Sequence, residues 1–192
     1  MTKTSKTTKT RLSVDEWVDA GIELLADEGL AAVKIDRLCK QLGVTKGSFY
    51  WHFADLEALK TAVAKRWCDR TRDELDGLRE LGDLPPLERI RIMAAGLVED
   101  RAWNVERTLR EWARTDATVA ATIGESEQHV FGLLNDAFLE LGHPAGAARM
   151  RAGLLTYAGI GFAHGQASLP RVTMDDIDDL VAFLSREVAG TD

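Results

Sequence analysis

Two cysteines in 192 residues, Cys39 and Cys68, are too few for a disulfide framework, and neither stands at metal-ligand spacing. No stretch approaches the ~20 consecutive apolar residues of a membrane span. The N-terminus is polar and unlike a signal sequence, so a cytoplasmic protein without membrane attachment is expected. Strand-like alternation is missing throughout, as are internal repeats. Nor is there a nucleophile elbow, a phosphate-binding loop or an H-E-x-x-H helix. The nearest approach to a metal pair is Glu125 with His129, one helical turn apart, and it lacks a third ligand at workable spacing. No catalytic residue, metal or cofactor is expected.

What the chain does contain is helix-forming sequence. Apolar residues make up 45% and charged residues 29%, the balance of a globular protein with a core to bury. Residues 1–12 are Thr/Lys-rich with almost nothing to bury, and read either as a solvated tail or as a basic arm that reaches phosphates. Ser13 and Glu16 then form an S-x-x-E capping box that opens a helix whose inner face is Val14, Trp17, Val18, Gly21, Leu24 and Leu25, closed by Gly29. Asp55 caps a long helix from about 56 into the seventies. The segment 82–86 (GDLPP) punctuates the chain and starts another helix at Pro86. Helices follow at about 104–114, 117–141, 145–168 (after His143-Pro144) and, capped by Thr173 with Asp176, 174–189. The expected fold is all-α, about nine helices.

Residues 35–53, IDRLCKQLGVTKGSFYWHF, are the most informative stretch. Ile35, Leu38 and Leu42 make one apolar stripe, Gly43 ends that helix with a sharp turn, and Thr45 is placed to cap the next. In the second helix Phe49 and Phe53 point inward with Val44. Thr45, Lys46, Ser48, Tyr50, Trp51 and His52 remain on other faces, more aromatic surface than one small helix can bury. A helix-turn-helix that lays its second helix in a DNA groove supplies the missing partner. Lys46, near the start of that helix, can reach guanine O6/N7, Thr45 and Ser48 can bond phosphates or bases, and Gly47 permits close backbone approach. For Trp51 the competing reading is packing against the first or fourth helix. His52 could bond backbone through one nitrogen and phosphate through the other. Arg37 and Lys40 read as solvated.

The net charge of −7 suits a DNA binder only once it is divided. Residues 1–53 carry eight basic and seven acidic side chains; the rest of the chain carries the excess acid. Steep salt dependence of any DNA binding follows.

The run LGVTKGSFYWHF followed by ADLEAL resembles the N-terminal DNA-binding domain of TetR-family transcriptional regulators, whose hallmark of Tyr, one variable residue and His-Phe falls on Tyr50, Trp51, His52 and Phe53. VDEWVDAGIELLADEGL is similar to that family's first helix. The chain departs from the pattern at Lys34, where the family caps its second helix with Ser or Thr, and at Leu56, where relatives place a phosphate-touching lysine. Lys34 or Lys60 is the candidate to compensate.

The resemblance implies a head of residues 13–54, a linking helix 55–78 and an effector-binding and dimerisation domain of residues 79–192. Within the head it implies DNA contacts from Lys34, Thr45, Lys46, Gly47, Ser48, Tyr50, Trp51 and His52. It implies a homodimer through the helices at about 145–168 and 174–189, although periodicity alone is equally satisfied by an internal core. It also implies a small-molecule effector held within residues 86–168. Trp103, Arg110, Trp112, Phe131, Tyr157, Phe162 and His164 are the candidates to line that site, with ordinary core as the competing role for each. Arg110 would attract an anion, but Glu106 four residues before it makes a surface ion pair the simpler account. The expected function is that of a homodimeric repressor released by an effector from a near-palindromic double-stranded DNA operator. The competing readings are a helical small-molecule-binding protein that does not touch DNA, and a helical enzyme.

Overall fold

The computed structural model describes residues 12–80, 84–98, 100–165 and 170–186, without the side chains of residues 30, 78–80, 97, 100–103 and 163. Nearly all of the tail, the start of the 82–86 break and the end of the last expected helix therefore lie outside the described residues. Within them the chain is all-α, with no strand: α1 (Val14–Glu28), α2 (Ile35–Leu42), α3 (Lys46–His52), α4 (Leu56–Glu80), α5 (Pro86–Ala95), α6 (Asp100–Ala113), α7 (Ala117–Glu140), α8 (Ala145–Gly165) and α9 (Met174–Ser185).

The helix ends follow from local chemistry. The Ser13 hydroxyl accepts the Glu16 amide at 3.2 Å while Glu16 Oε2 accepts the Ser13 amide at 2.7 Å, and Thr173 and Asp176 repeat this box at α9. Gly43 takes the left-handed conformation at φ 64°, which turns the chain between α2 and α3. Asp55 Oδ1 accepts the Ala58 amide at 2.8 Å at the start of α4. An unforeseen cap opens α7, where Asp116 accepts from the Thr118 and Val119 amides. The expected Thr45 cap is not made: its side chain forms no capping bond, and the Ser48 amide donates instead to the Thr45 carbonyl at 3.0 Å. Helix α6 begins at Asp100 rather than near 104, because the chain after α5 tightens into a 3₁₀ turn at Gly96–Val98. Val14, expected inward, stands half exposed, as does Leu87, in first turns that lie ahead of the packed part of each helix.

Two apolar cores carry the molecule. The first joins α1–α4 to α6 and the start of α7, through Trp17, Leu25, Leu38, Phe49, Val63 and Leu109 among others. The second joins α5, α7, α8 and α9 through Ile90, Phe138, Ala152, Leu155, Ile177 and Val181. Each fully buried side chain of this size contributes about 1.5–3 kcal/mol. Helix α7 belongs to both cores. Buried Arg151 of α8 ties down the end of α9: its Nε donates to the Leu184 carbonyl at 2.6 Å and its Nη2 to the Arg186 carbonyl at 2.9 Å. These are the orphan acceptors of a helix C-terminus.

Helix α1 crosses α4 closely at Gly21. A Cβ at Gly21 would lie 2.8 Å from Cγ2 of fully buried Val63, a stiff β-branched neighbour. Gly21→Val should therefore destabilise the protein by about 1–3 kcal/mol despite the better helix former. Denaturant unfolding checks this, and an unchanged midpoint would mean that α1 and α4 are not held at this distance.

Candidate nucleic-acid interface and internal cavity

Helices α1, α2 and α3 form a small head on the N-terminal half of α4. Phe49, fully buried, is its centre: the ring meets Trp17 edge-on at 5.4 Å and lies 5.5 Å from Phe53. With Phe49 and Phe53 turned in, the helical period turns the rest of α3 outward. Tyr50 is 57% exposed and Trp51 69% exposed, so Trp51 presents its indole to solvent rather than burying it against α1 or α4. Tyr50 is steadied edge-on by Phe49 at 5.4 Å. Thr45, Lys46 and Gly47 are exposed and Ser48 half-buried; Lys34, also exposed, stands at the uncapped start of α2. His52 is half-buried, and its Nε2 is buried without a hydrogen-bond partner among the described residues.

Lys46 already has a partner. Its Nζ lies 2.7 Å from Asp36 Oδ1 of α2, and this bond raises the pKa of the ammonium. Both groups are largely exposed, so the pair is weak and exchangeable. The acidic side chains of α1 are also committed: Asp15 and Asp19 to Arg66 of α4, Glu28 to Arg37 and Glu23 to Gln41. Arg37 is thus paired rather than simply solvated. Lys60 is engaged within the protein. It reaches Glu57 at 2.7 Å and lies 5.3 Å above the Trp112 ring, while Leu56 packs against the first core.

A cavity of about 700 Å³ opens between α4, α5, α6, α7 and α8. Of the seven side chains expected to line it, Arg110 does. Trp112 is buried in the first core, and Phe131 and Phe162 pack against the second; Tyr157 and His164 are exposed; the Trp103 side chain lies outside the described residues. Sequence reasoning favoured large aromatics, and these are taken up by packing or by the outer surface. It missed the wall supplied by α4, including Trp67, Cys68 and Thr71, which its 86–168 boundary excluded.

The expected Glu106–Arg110 ion pair exists, but in the cavity wall rather than on the surface. Arg110 Nη2 lies 2.6 Å from Glu106 Oε1, and Nη1 bonds Glu127 of α7. Burial opposes the Arg110 charge, yet the two carboxylates outweigh it and hold its pKa above the ordinary guanidinium value. Glu106 Oε2 also accepts from Trp67 Nε1 at 3.3 Å, so one carboxylate joins α4 to α6. Cys68, beside Ser126, has its thiol pKa pushed up to about 11, by burial first and Glu106 second. His129 Nε2 stands 3.0 Å from Asp76 Oδ1 without hydrogen-bond alignment. No group of three or more His, Cys, Asp or Glu gathers as a metal site among the described residues.

Residues 18–63, which hold the whole of α2 and α3, match the family model of bacterial regulatory proteins, tetR family. The head of this chain is thus a TetR-type DNA-binding segment by sequence. The HTH-type transcriptional regulator YerO of Bacillus subtilis is 29% identical over 84 residues, which is 43% of this chain and 29% of that protein. A transcriptional regulator from Rhodococcus shares the fold, with a TM-score of 0.77 and 18% identity, covering 91% of this chain and 94% of that one. A regulator from Saccharomonospora viridis, crystallised in complex with choline, does so with a TM-score of 0.70 and 14% identity over 89% of this chain and 92% of that one. The chain spans less than two fifths of the length of the curated relatives it matches. Sequence likeness to TetR-family proteins is thus concentrated in the head, while the fold likeness runs through both cores.

Two outcomes are expected of this geometry. Asp36→Asn, which frees Lys46, should tighten duplex binding at low salt by about two- to fivefold; an unchanged anisotropy titration would make the pair irrelevant. Cys68 should resist iodoacetamide near neutral pH in folded protein and react on unfolding, as read by mass spectrometry.

Proposed function

We propose that the protein is a sequence-specific DNA-binding transcriptional regulator, a homodimeric repressor released from a near-palindromic operator by a small-molecule effector. The observation that carries this reading is the outward face of α3, where Lys46, Tyr50 and Trp51 project together from a buried Phe49. Lys46 would donate to a base edge, and Thr45, Ser48, Tyr50 and Lys34 to phosphates or bases; Trp51 would meet thymine methyl or sugar. Residues 13–54 act as the reading head, 55–78 as the link, and 79–192 as the effector-binding and dimerisation part.

One short helix reads few base pairs, so a two-fold partner is needed. Helix α8 offers Met150, Leu154 and Tyr157, at 56%, 51% and 73% exposure, as an apolar stripe at helical period, and Phe183 of α9 is 67% exposed. We assign this surface to a second copy of the chain, with half-sites about 34–36 Å apart. The effector occupies the cavity beside α4, whose displacement would respace the two heads. We place the protein in the cytoplasm, and no helix among the described residues is long and apolar enough to cross a membrane. No catalytic role is proposed.

Selection of duplexes from random oligonucleotides tests the reading, and it fails if no sequence is enriched. Lys46→Ala and Tyr50→Ala should each weaken the selected site by about tenfold or more while dimer mass and ligand binding persist. Leu154→Asp with Tyr157→Asp should yield monomers in sedimentation and lose the palindrome, whereas intact dimers would place the interface elsewhere.

A further inference from the structure

The geometry points to an organic monocation, an amine or quaternary ammonium on an apolar body, as the ligand of the α4–α8 cavity, with Glu127 as its counter-ion. This rests on the effector reading above and narrows it to a chemical class. Among the described residues, the charged side chains lining the cavity are Glu74, Glu106, Glu127, Arg70 and Arg110. Arg70 and Glu74 are neighbours on α4, 3.8 Å apart and well exposed, and largely cancel one another near solvent. Deeper in, one guanidinium faces two carboxylates, with Arg110 16% exposed, Glu106 34% and Glu127 35%. Among the described residues the interior thus holds one formal negative charge in surplus.

The two carboxylates are not equivalent. Glu106 is used on both oxygens, one by Arg110 and the other by Trp67 Nε1. Glu127 bonds Arg110 through Oε1, and its second oxygen has no hydrogen bond among the described residues. The remaining wall is apolar (Ile92, Met93, Val130, Leu155 and Ile160), with Trp67 close to the carboxylates. A carboxylate pair beside an indole, with apolar surface beyond, suits an ammonium with a hydrocarbon body. An anionic ligand would have to take Arg110 from Glu127 and strand a half-buried carboxylate without its counter-ion, which is the costly arrangement. A neutral ligand would leave the surplus uncompensated.

The test compares three probes with one tail (decyltrimethylammonium, decanol and decanoate) by calorimetry and Trp fluorescence on the full-length protein. The cation should bind about tenfold more tightly than the alcohol, with decanoate weakest. Glu127→Gln, close to isosteric, should cut cation affinity about tenfold and leave decanol affinity unchanged. Tighter binding of decanoate than of the cation overturns the assignment, as does a cation preference that survives Glu127→Gln, or no binding of any probe. If the variant does not fold, the ranking on the native chain decides alone. Duplex binding is measured alongside: its presence with an anion preference sinks the charge assignment only, whereas its absence sinks the regulator reading independently.

Discussion

Helix α4 is the rod that joins the head to the cavity. Its first half lies against α1 at the glycine-narrowed crossing of Gly21 and Val63, and its second half forms one wall of the cavity. A 25-residue helix is a stiff rod, about 37 Å long at its ordinary rise. Head and cavity are therefore mechanically joined, since whatever moves the distal half of α4 must move the surface on which α1, α2 and α3 rest. The first core reinforces this by running without a break from Trp17 and Phe49 to Leu109 and Ile123. Asn104 of α6 adds a polar tether, donating to the Ala26 carbonyl of α1 at 3.1 Å.

The polar chain Trp67–Glu106–Arg110–Glu127 crosses from α4 through α6 to α7, where the two cores leave space between them. An apolar filling would be at least as stable as ions placed so deep. An ionic network instead gives the three helices a discrete arrangement, which a competing charge can exchange for another.

The head was readable from the sequence because its determinants are local. Capping boxes, the αL glycine and the Phe49/Phe53 spacing each act within a few residues, and the packing agrees with them. The cavity was less legible for the opposite reason. Its wall is assembled from five helices, and a partly polar face such as that of Trp67, Cys68 and Thr71 has no periodic signature to separate it from a solvated one. Arg110 was singled out, yet its partner Glu127 lies 17 residues away on another helix, beyond any helical-period rule. The same applies to Arg66, whose pairing with Asp15 spans 51 residues. Trp112 and Tyr157 are equally amphipathic in composition, and only tertiary placement sends one into a core and the other to the surface.

The Arg151 clasp has an evolutionary implication. The groups that receive its guanidinium are main-chain oxygens at 184 and 186, and every amino acid supplies those identically. The outward side chains at the tail of α9 are thus free to vary without loosening this clasp, provided the chain path is kept, Leu184 stays packed in the second core and the arginine stays. Selection on its outward positions can then act on the surface they offer, while Leu184 answers to the core.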